Sequence, residues 1–190
     1  MPGRAIGMIE LTSVGIGYAV QDAMLKSADV ELILGRTICS GKYINLVGGS
    51  VASVAASVEA GLAAAPDGVI DHVNVPNVHA SVFPALGQSV QLTTGGPDAS
   101  PPDALGIVES YSASVILEAA DAAAKAADVT LFRIHMAMAL GGKAFMLMAG
   151  STASCEAAVD AARAVVVDKG LLVSALTISR PCRELLAEYL

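Results

Sequence analysis

The sequence predicts a mixed α/β (α+β) protein built as two tandem ferredoxin-like domains, each an antiparallel four-stranded sheet with helices. Three observations carry that expectation. Residues Ala5–Leu32 return at Ala104–Leu131 at a constant offset of 99, with eleven of twenty-eight pairs identical, Gly7/Gly106, Glu10/Glu109, Asp22/Asp121 and Lys26/Lys125 among them. Beyond the next strand the offset is 101, pairing Gly41-Lys42 with Gly142-Lys143 and Gly49-Ser50 with Gly150-Ser151, so the second copy has two extra residues in one loop. Each half also reads strand, helix, strand, strand, helix, strand. A unit of roughly 90 residues can bury a core of its own, which gives a first domain at 1–92, a linker at 93–103 and a second domain at 104–190.

The first strand, Ala5 to Leu11, is rich in Ile and Met and weakly alternating, as a buried strand is. Thr12 or Ser13 is placed to cap the next helix, where Ile16, Val20, Ala23 and Met24 form one apolar stripe and Asp22 and Lys26 stand one turn apart. Val30 to Ile38 is a second strand, Cys39-Ser40-Gly41 a tight turn and Lys42 to Val47 a third strand. Ser50 caps a helix expected to bury Val51, Val54, Ala55, Val58 and Leu62. Pro66-Asp67-Gly68 stops it. Val69 to Val75 alternates as a fourth strand, and a helical turn around Ser81 to Leu86 is expected to close the unit.

Thr93 to Asp103, with two Gly and three Pro, has no periodicity and reads as the linker. In the second domain the strands are expected at Ala104–Glu109, Val129–Met138, Lys143–Ala149 and Leu171–Ile178. Its helices are Ala113–Ala126 and one capped near Ser151.

Composition narrows the function. With 54% hydrophobic residues, 4% aromatic and no Trp, the core is packed from small side chains, and the low charge content of 15% favours broad subunit contacts. A net charge of −7 and the absence of any basic run argue against nucleic acid, whose phosphates require clustered Lys and Arg. No signal or transit peptide is apparent. The stretch Val73 to Pro97 has no Asp, Glu, Lys or Arg and is broken by Pro76 and Pro84, so no membrane span is expected. Three cysteines without a secretion signal suit a reducing cytosol.

Catalytic patterns are missing. His72, His79 and His135 have no carboxylate or Cys at metal-ligand or triad spacing, and no Walker loop or Rossmann fingerprint occurs. Glu10 and Glu109 end equivalent strands of separate domains and read as structural rather than as an acid–base pair. The chain is not expected to be an enzyme.

Gly7-Met8-Ile9-Glu10, Asp22 through Val30, Ser40-Gly41-Lys42 and Ile178-Ser179-Arg180-Pro181 together resemble the signatures of bacterial microcompartment shell proteins. The resemblance covers nearly the whole chain, twice. Two such domains in one chain resemble the trimeric class, in which three subunits make a pseudohexameric tile with a central pore, and the motif order is unpermuted. Among unpermuted members the chain is most similar to the iron–sulfur-cluster-bearing tandem subunits of propanediol-utilising shells, through the Thr37-Ile38-Cys39 turn and the loop from His135 to Lys143.

What the resemblance implies is specific. The pore lining carried over is Thr37, Ile38, Cys39, Ser40 and Gly41 from the first domain and Met138, Ala139, Leu140, Gly141 and Gly142 from the second. Because the two loops differ, only threefold symmetry is possible. Three copies of Cys39 then surround one axis and are expected to hold a [4Fe–4S] cluster, each thiolate on one iron. The bland alternative is a metal-free turn cysteine in a pore that conducts small metabolites, and a third reading is an unrelated ferredoxin-like ligand-binding protein. Lys26 and Lys125 correspond to tile-edge lysines, with Asn77, His79 and Arg180 in the edge segment. The implied partners are two further copies of the chain in a homotrimer, other shell proteins at the tile edges and enclosed redox enzymes. The implied location is a microcompartment shell in the cytoplasm. Cys155 is expected in the core, and Cys182 is expected to be structural.

Overall fold

The computed structural model describes residues 4–92, 101–187 and 189. Its described residues fall into two compact units, one comprising the chain up to Val78 together with Ala137–Gly142, the other His79–Met136 with Lys143 onward.

In the first unit the elements follow the expected order: β1 (Arg4–Leu11), α1 (Val14–Ser27), β2 (Val30–Ile38), β3 (Lys42–Ser50), α2 (Val51–Ala64) and β4 (Val69–Val75). The strands lie in the order β2-β3-β1-β4, all antiparallel. β1 pairs on both sides, Met8 facing Leu46 of β3 and Val73 of β4, so Ala5 through Leu11 are buried without alternation. Ser13 caps α1, its hydroxyl accepting from the Ile16 N–H at 3.4 Å. Val20 and Met24 of that helix pack into a core with Ile9, Leu11, Tyr43 and Val54.

Helix α2 is rotated from the expected stripe. It buries Val54, Ser57, Val58 and Gly61, whereas Val51 is exposed and Leu62 only packs along the margin. The reason is polar: the Ser57 hydroxyl donates to the Met24 carbonyl at 3.0 Å, so this face joins α2 to α1 through a hydrogen bond that an apolar count overlooks.

After β4 comes the expected short helix, α3 (Val82–Leu86). It does not close the first unit. Val82 and Ala85 are fully buried in the second unit, where α3 packs against β6 (Thr130–Met136) and α4 (Ala113–Ala126). The rest of that unit is β5 (Ala104–Ser110), β7 (Ala144–Gly150), α5 (Thr152–Asp168) and β8 (Leu172–Ser179), with strands ordered β6-β7-β5-β8. The compact units divide after Val78. Of the expected linker, residues 93–100 lie outside the described residues, and Asp103 accepts from the Arg180 N–H at 2.7 Å. The strand expected to run to Met138 stops at Met136, because Ala137 turns to φ +56 and leaves the extended region.

The repeat persists in the irregularities. Both sheets shift register at equivalent places, between Glu10 and Leu11 and between Glu109 and Ser110. Ile6 pairs with Val75 as Leu105 pairs with Ile178, so the closing strands correspond at an offset of 103. Asn77 and Arg180, also 103 apart, both take φ +50.

Candidate functional site

The turn from β2 to β3 contains the most unusual backbone of the first repeat. Cys39–Gly41 form one 3-10 turn in which Ser40 has φ +66 and Gly41 φ +74. The corresponding loop between β6 and β7 is more contorted: Ala137, Ala139, Gly141 and Gly142 all have positive φ, at +56, +58, +63 and +92. A side chain in the left-handed region costs roughly 1–2 kcal/mol per residue, so Ala137 and Ala139 hold that shape against a local preference, while the two glycines adopt it freely.

Alternation of this kind turns successive N–H groups the same way, making a concavity for an anion. What it encloses is Cys39. The Cys39 N–H donates to the Ala137 carbonyl at 3.3 Å. The Leu140 main-chain N–H does most to hold the Cys39 thiol below its usual pKa; partial burial opposes it, and the N–H groups of Gly141, Gly142 and Ala139 reinforce it. Hydrogen bonds to the charged form favour that form, so the loop favours the thiolate form of Cys39.

Both loops expected to line a pore thus lie in the first compact unit. Thr37, Ser40, Gly41, Met138, Ala139 and Gly141 are exposed; Cys39, Leu140 and Gly142 are half-buried. Ile38, at 6% exposure, belongs to the core rather than to the open surface. Immediately after each loop stands a lysine with a mirrored partner: Lys42 Nζ is 2.9 Å from Glu10 Oε1 and Lys143 Nζ is 2.8 Å from Glu109 Oε1. Glu109 raises the Lys143 ammonium above its ordinary range. Each glutamate is thus tied to the lysine that follows a loop. Lys42 and Lys143 as their partners escaped the sequence reading, since the pairing follows from the Glu10–Ile44 register; the visible signal was that both lysines recur with the repeat.

The other cysteines differ. Cys155 is fully buried, its Sγ 3.5 Å from the Ala104 carbonyl, and burial pushes its thiol up. Cys182 is exposed. His135 stacks on Phe145 with centroids 5.1 Å apart. Among the described residues no three His, Cys, Asp or Glu side chains gather closely enough to hold a metal ion within one chain.

The expected edge residues separate into two settings. Lys26 pairs with Asp22 at 2.6 Å on the exposed side of α1. Lys125 pairs with Asp121 at the same distance, but the Asp121 side chain is only 11% exposed and its other oxygen accepts the His79 main-chain N–H at 2.7 Å. Lys125 and His79 are thereby brought together. Asn77 and Arg180 occupy equivalent corners just after β4 and β8.

The family model for the BMC domain matches this chain twice, over residues 5–78 and 104–181. The chain belongs to the BMC domain family. As a tandem BMC protein it is 42% identical over 178 residues to the bacterial microcompartment shell protein PduT of Citrobacter freundii, covering 94% of this chain and 93% of that one. The single-domain shell protein PduA of Salmonella typhimurium is 36% identical over 92 residues, 47% of this chain and 98% of its own. Among solved structures, a microcompartment protein from Desulfitobacterium hafniense superimposes with a TM-score of 0.89 at 38% identity, covering 97% of this chain and 99% of that one. A fused permuted hexameric shell protein shares the fold, with a TM-score of 0.59 at 22% identity over 87% of this chain and 82% of its own. This BMC protein is therefore a PduT-like structural component of a bacterial microcompartment shell. None of its described helices is long and apolar enough to cross a membrane.

Proposed function

We propose that three copies of this BMC chain form a pseudohexameric tile, that the Cys39 turn and the 138–142 loop line its central pore, and that the three Cys39 thiolates hold a [4Fe–4S] cluster there. The observation that carries the proposal is the ring of main-chain N–H groups lowering the Cys39 pKa. A cluster needs thiolate ligands, and hydrogen bonds to sulfur raise its potential. The donor set fits: one chain offers at this turn a single thiol whose ionised form the loop favours, and threefold rotation supplies three. When bound, such a cluster accepts or releases an electron. The chain's own part is to keep the sulfur ionised, to place it beside the exposed loop and to limit water through Leu140 and Met138. Electron exchange across the shell with enclosed redox enzymes is the role this arrangement suits.

Lys26, Lys125, Asn77, His79 and Arg180 are assigned to contacts with neighbouring shell proteins at the tile edge. The reading is structural and assigns no catalytic residue.

A second reading keeps the tile and dispenses with metal. Four N–H groups converging at the exposed loop also suit small anionic metabolites in transit through the pore. One experiment separates the two: iron and sulfide quantitation, with absorbance near the 400 nm region typical of such clusters, on protein purified without oxygen. Bound iron and sulfide that disappear in Cys39→Ser support the cluster. Iron-free, colourless wild-type protein leaves the metal-free pore.

A further inference from the structure

The two halves of the repeat are buried to different extents, and one such difference runs along α1 and β2. On α1, Tyr18 is 62% and Leu25 39% exposed, and on β2 Leu32 is 37% exposed; their counterparts 99 residues on, Leu117, Ala124 and Leu131, are 1%, 9% and 1% exposed. Asp22 has a side chain 62% exposed where that of Asp121 is 11% exposed. Tyr18, Asp22 and Leu25 recur at spacings of four and three, so they form one stripe of the helix.

On the second half, the segment that follows β4 lies against the corresponding elements: α3, with Val82 fully buried, packs against α4 and β6, and the His79 N–H donates to Asp121. The counterpart of that segment follows β8, 103 residues later. It leaves its strand through the same positive-φ corner, Arg180 for Asn77. Cys182 then corresponds to His79 and Leu185 to Val82. Leu186 anchors this tail in its own unit, packed against Phe132 and Leu147, yet Leu185 stands 50% exposed.

Each chain therefore has one uncovered face and one segment of the kind that covers such a face. A patch and its complement on one molecule produce a head-to-tail contact, which closes into a ring when the rotation allows. We propose that the α1 face, Tyr18, Asp22 and Leu25 with Leu32 beside it, is the docking surface for residues 182–185 of a second copy of this chain, with Asp22 Oδ1 accepting the Cys182 main-chain N–H and Leu185 covered as Val82 is. Lys26 already engages Asp22 through Oδ2, as Lys125 engages Asp121 through its own Oδ2, so the second oxygen is the one left for the incoming N–H. The contact deepens the trimer reading above and rests on it.

Light scattering on the full-length chain tests this. Wild-type protein is expected at three times 19.1 kDa. A face variant, Asp22→Arg with Leu25→Glu, and a tail variant, Leu185→Asp, are each expected at 19.1 kDa with unchanged circular dichroism. Should the face variant fail to fold, Leu32→Glu on β2 replaces it. Mixed in equal amounts, the two variants are expected to form a one-to-one dimer, twice 19.1 kDa, because one intact tail meets one intact face and neither end extends further. Variants that remain trimers beside a trimeric wild type overturn the docking surface and spare the trimer. A mixture that stays unassociated, or that restores the full trimer, overturns the head-to-tail pairing. A wild type at 19.1 kDa at every concentration removes the trimer itself.

Discussion

Lys42 Nζ lies 2.9 Å from Glu10 Oε1, and the glutamate side chain is only 5% exposed. A carboxylate taken so far out of water depends on its partner, and the partner is the first residue after the Cys39 turn, so the base of the turn is fixed by an ion pair. Lys42→Met leaves the charge uncompensated and is expected to destabilise the fold by about 1–3 kcal/mol. Adding Glu10→Gln removes the stranded charge and should restore much of that loss, a coupling measurable as a double-mutant cycle by urea denaturation. Equal losses in the single and double variants would show that the pair does not anchor the turn.

Gly17 sits near the N-terminal end of α1, where Tyr43 occupies the space of a side chain: a Cβ there would meet Tyr43 Cγ, Cδ1 and Cβ at 2.3 to 2.6 Å. Gly17→Ala should gain up to about 1 kcal/mol of helix propensity and lose about 1–3 kcal/mol to overpacking. The Tyr43 hydroxyl would also be pulled from Gln21, 3.1 Å away. The expected net result is a lower Tm, while Gly15→Ala, which meets nothing within 4 Å, should be neutral or stabilising.

Cys39 in the iron-free protein should react with iodoacetamide as a low-pKa thiol. Its folded pKa is lowered, so the rate should rise at a pH below the ordinary thiol value of about 8.5. The linked stabilisation has the sign of a depressed acid: present above the ordinary thiol pKa, and lost as pH falls through the pKa of Cys39 itself. Cys155, buried and raised, should resist modification until the protein unfolds. Mass spectrometry of labelled peptides reads both; an ordinary pH profile at Cys39 would contradict the N–H cradle.

The mirrored lysines should differ in stability and agree in assembly. Lys26→Ala removes an exposed pair and is expected to cost less than about 1 kcal/mol. Lys125→Ala leaves the largely buried Asp121 held only by the His79 N–H and should cost about 1–3 kcal/mol. If both mark the tile edge, the double variant keeps the trimer but forms no extended sheets in negative-stain microscopy. Intact sheets would remove these residues from the edge.

Much of this molecule was legible because its information is local or repeated. Eleven identities at one offset announced two copies of one domain, and the hydroxyl caps Ser13, Ser50 and Ser151 all form as the spacing implied. The rotation of α2 was hidden because Ser57 is polar in composition and buried in fact, satisfied by a carbonyl on another helix. The place of α3 was hidden for a related reason: Val82-Phe83-Pro84 describes a short apolar turn and says nothing of which sheet that turn covers.

Sequence alone determined the repeat, the strand and helix order and the isolation of Cys39 as a single thiol between two strands, because periodicity, capping and spacing act over a few residues. Tertiary structure decided what surrounds that thiol and which half of the repeat is left uncovered. Main-chain N–H groups carry no side-chain signature, so their convergence on one sulfur depends on the positive φ angles of residues 137–142, and the exposure of Tyr18 against the burial of Leu117 depends on where a segment some sixty residues from α1 comes to rest.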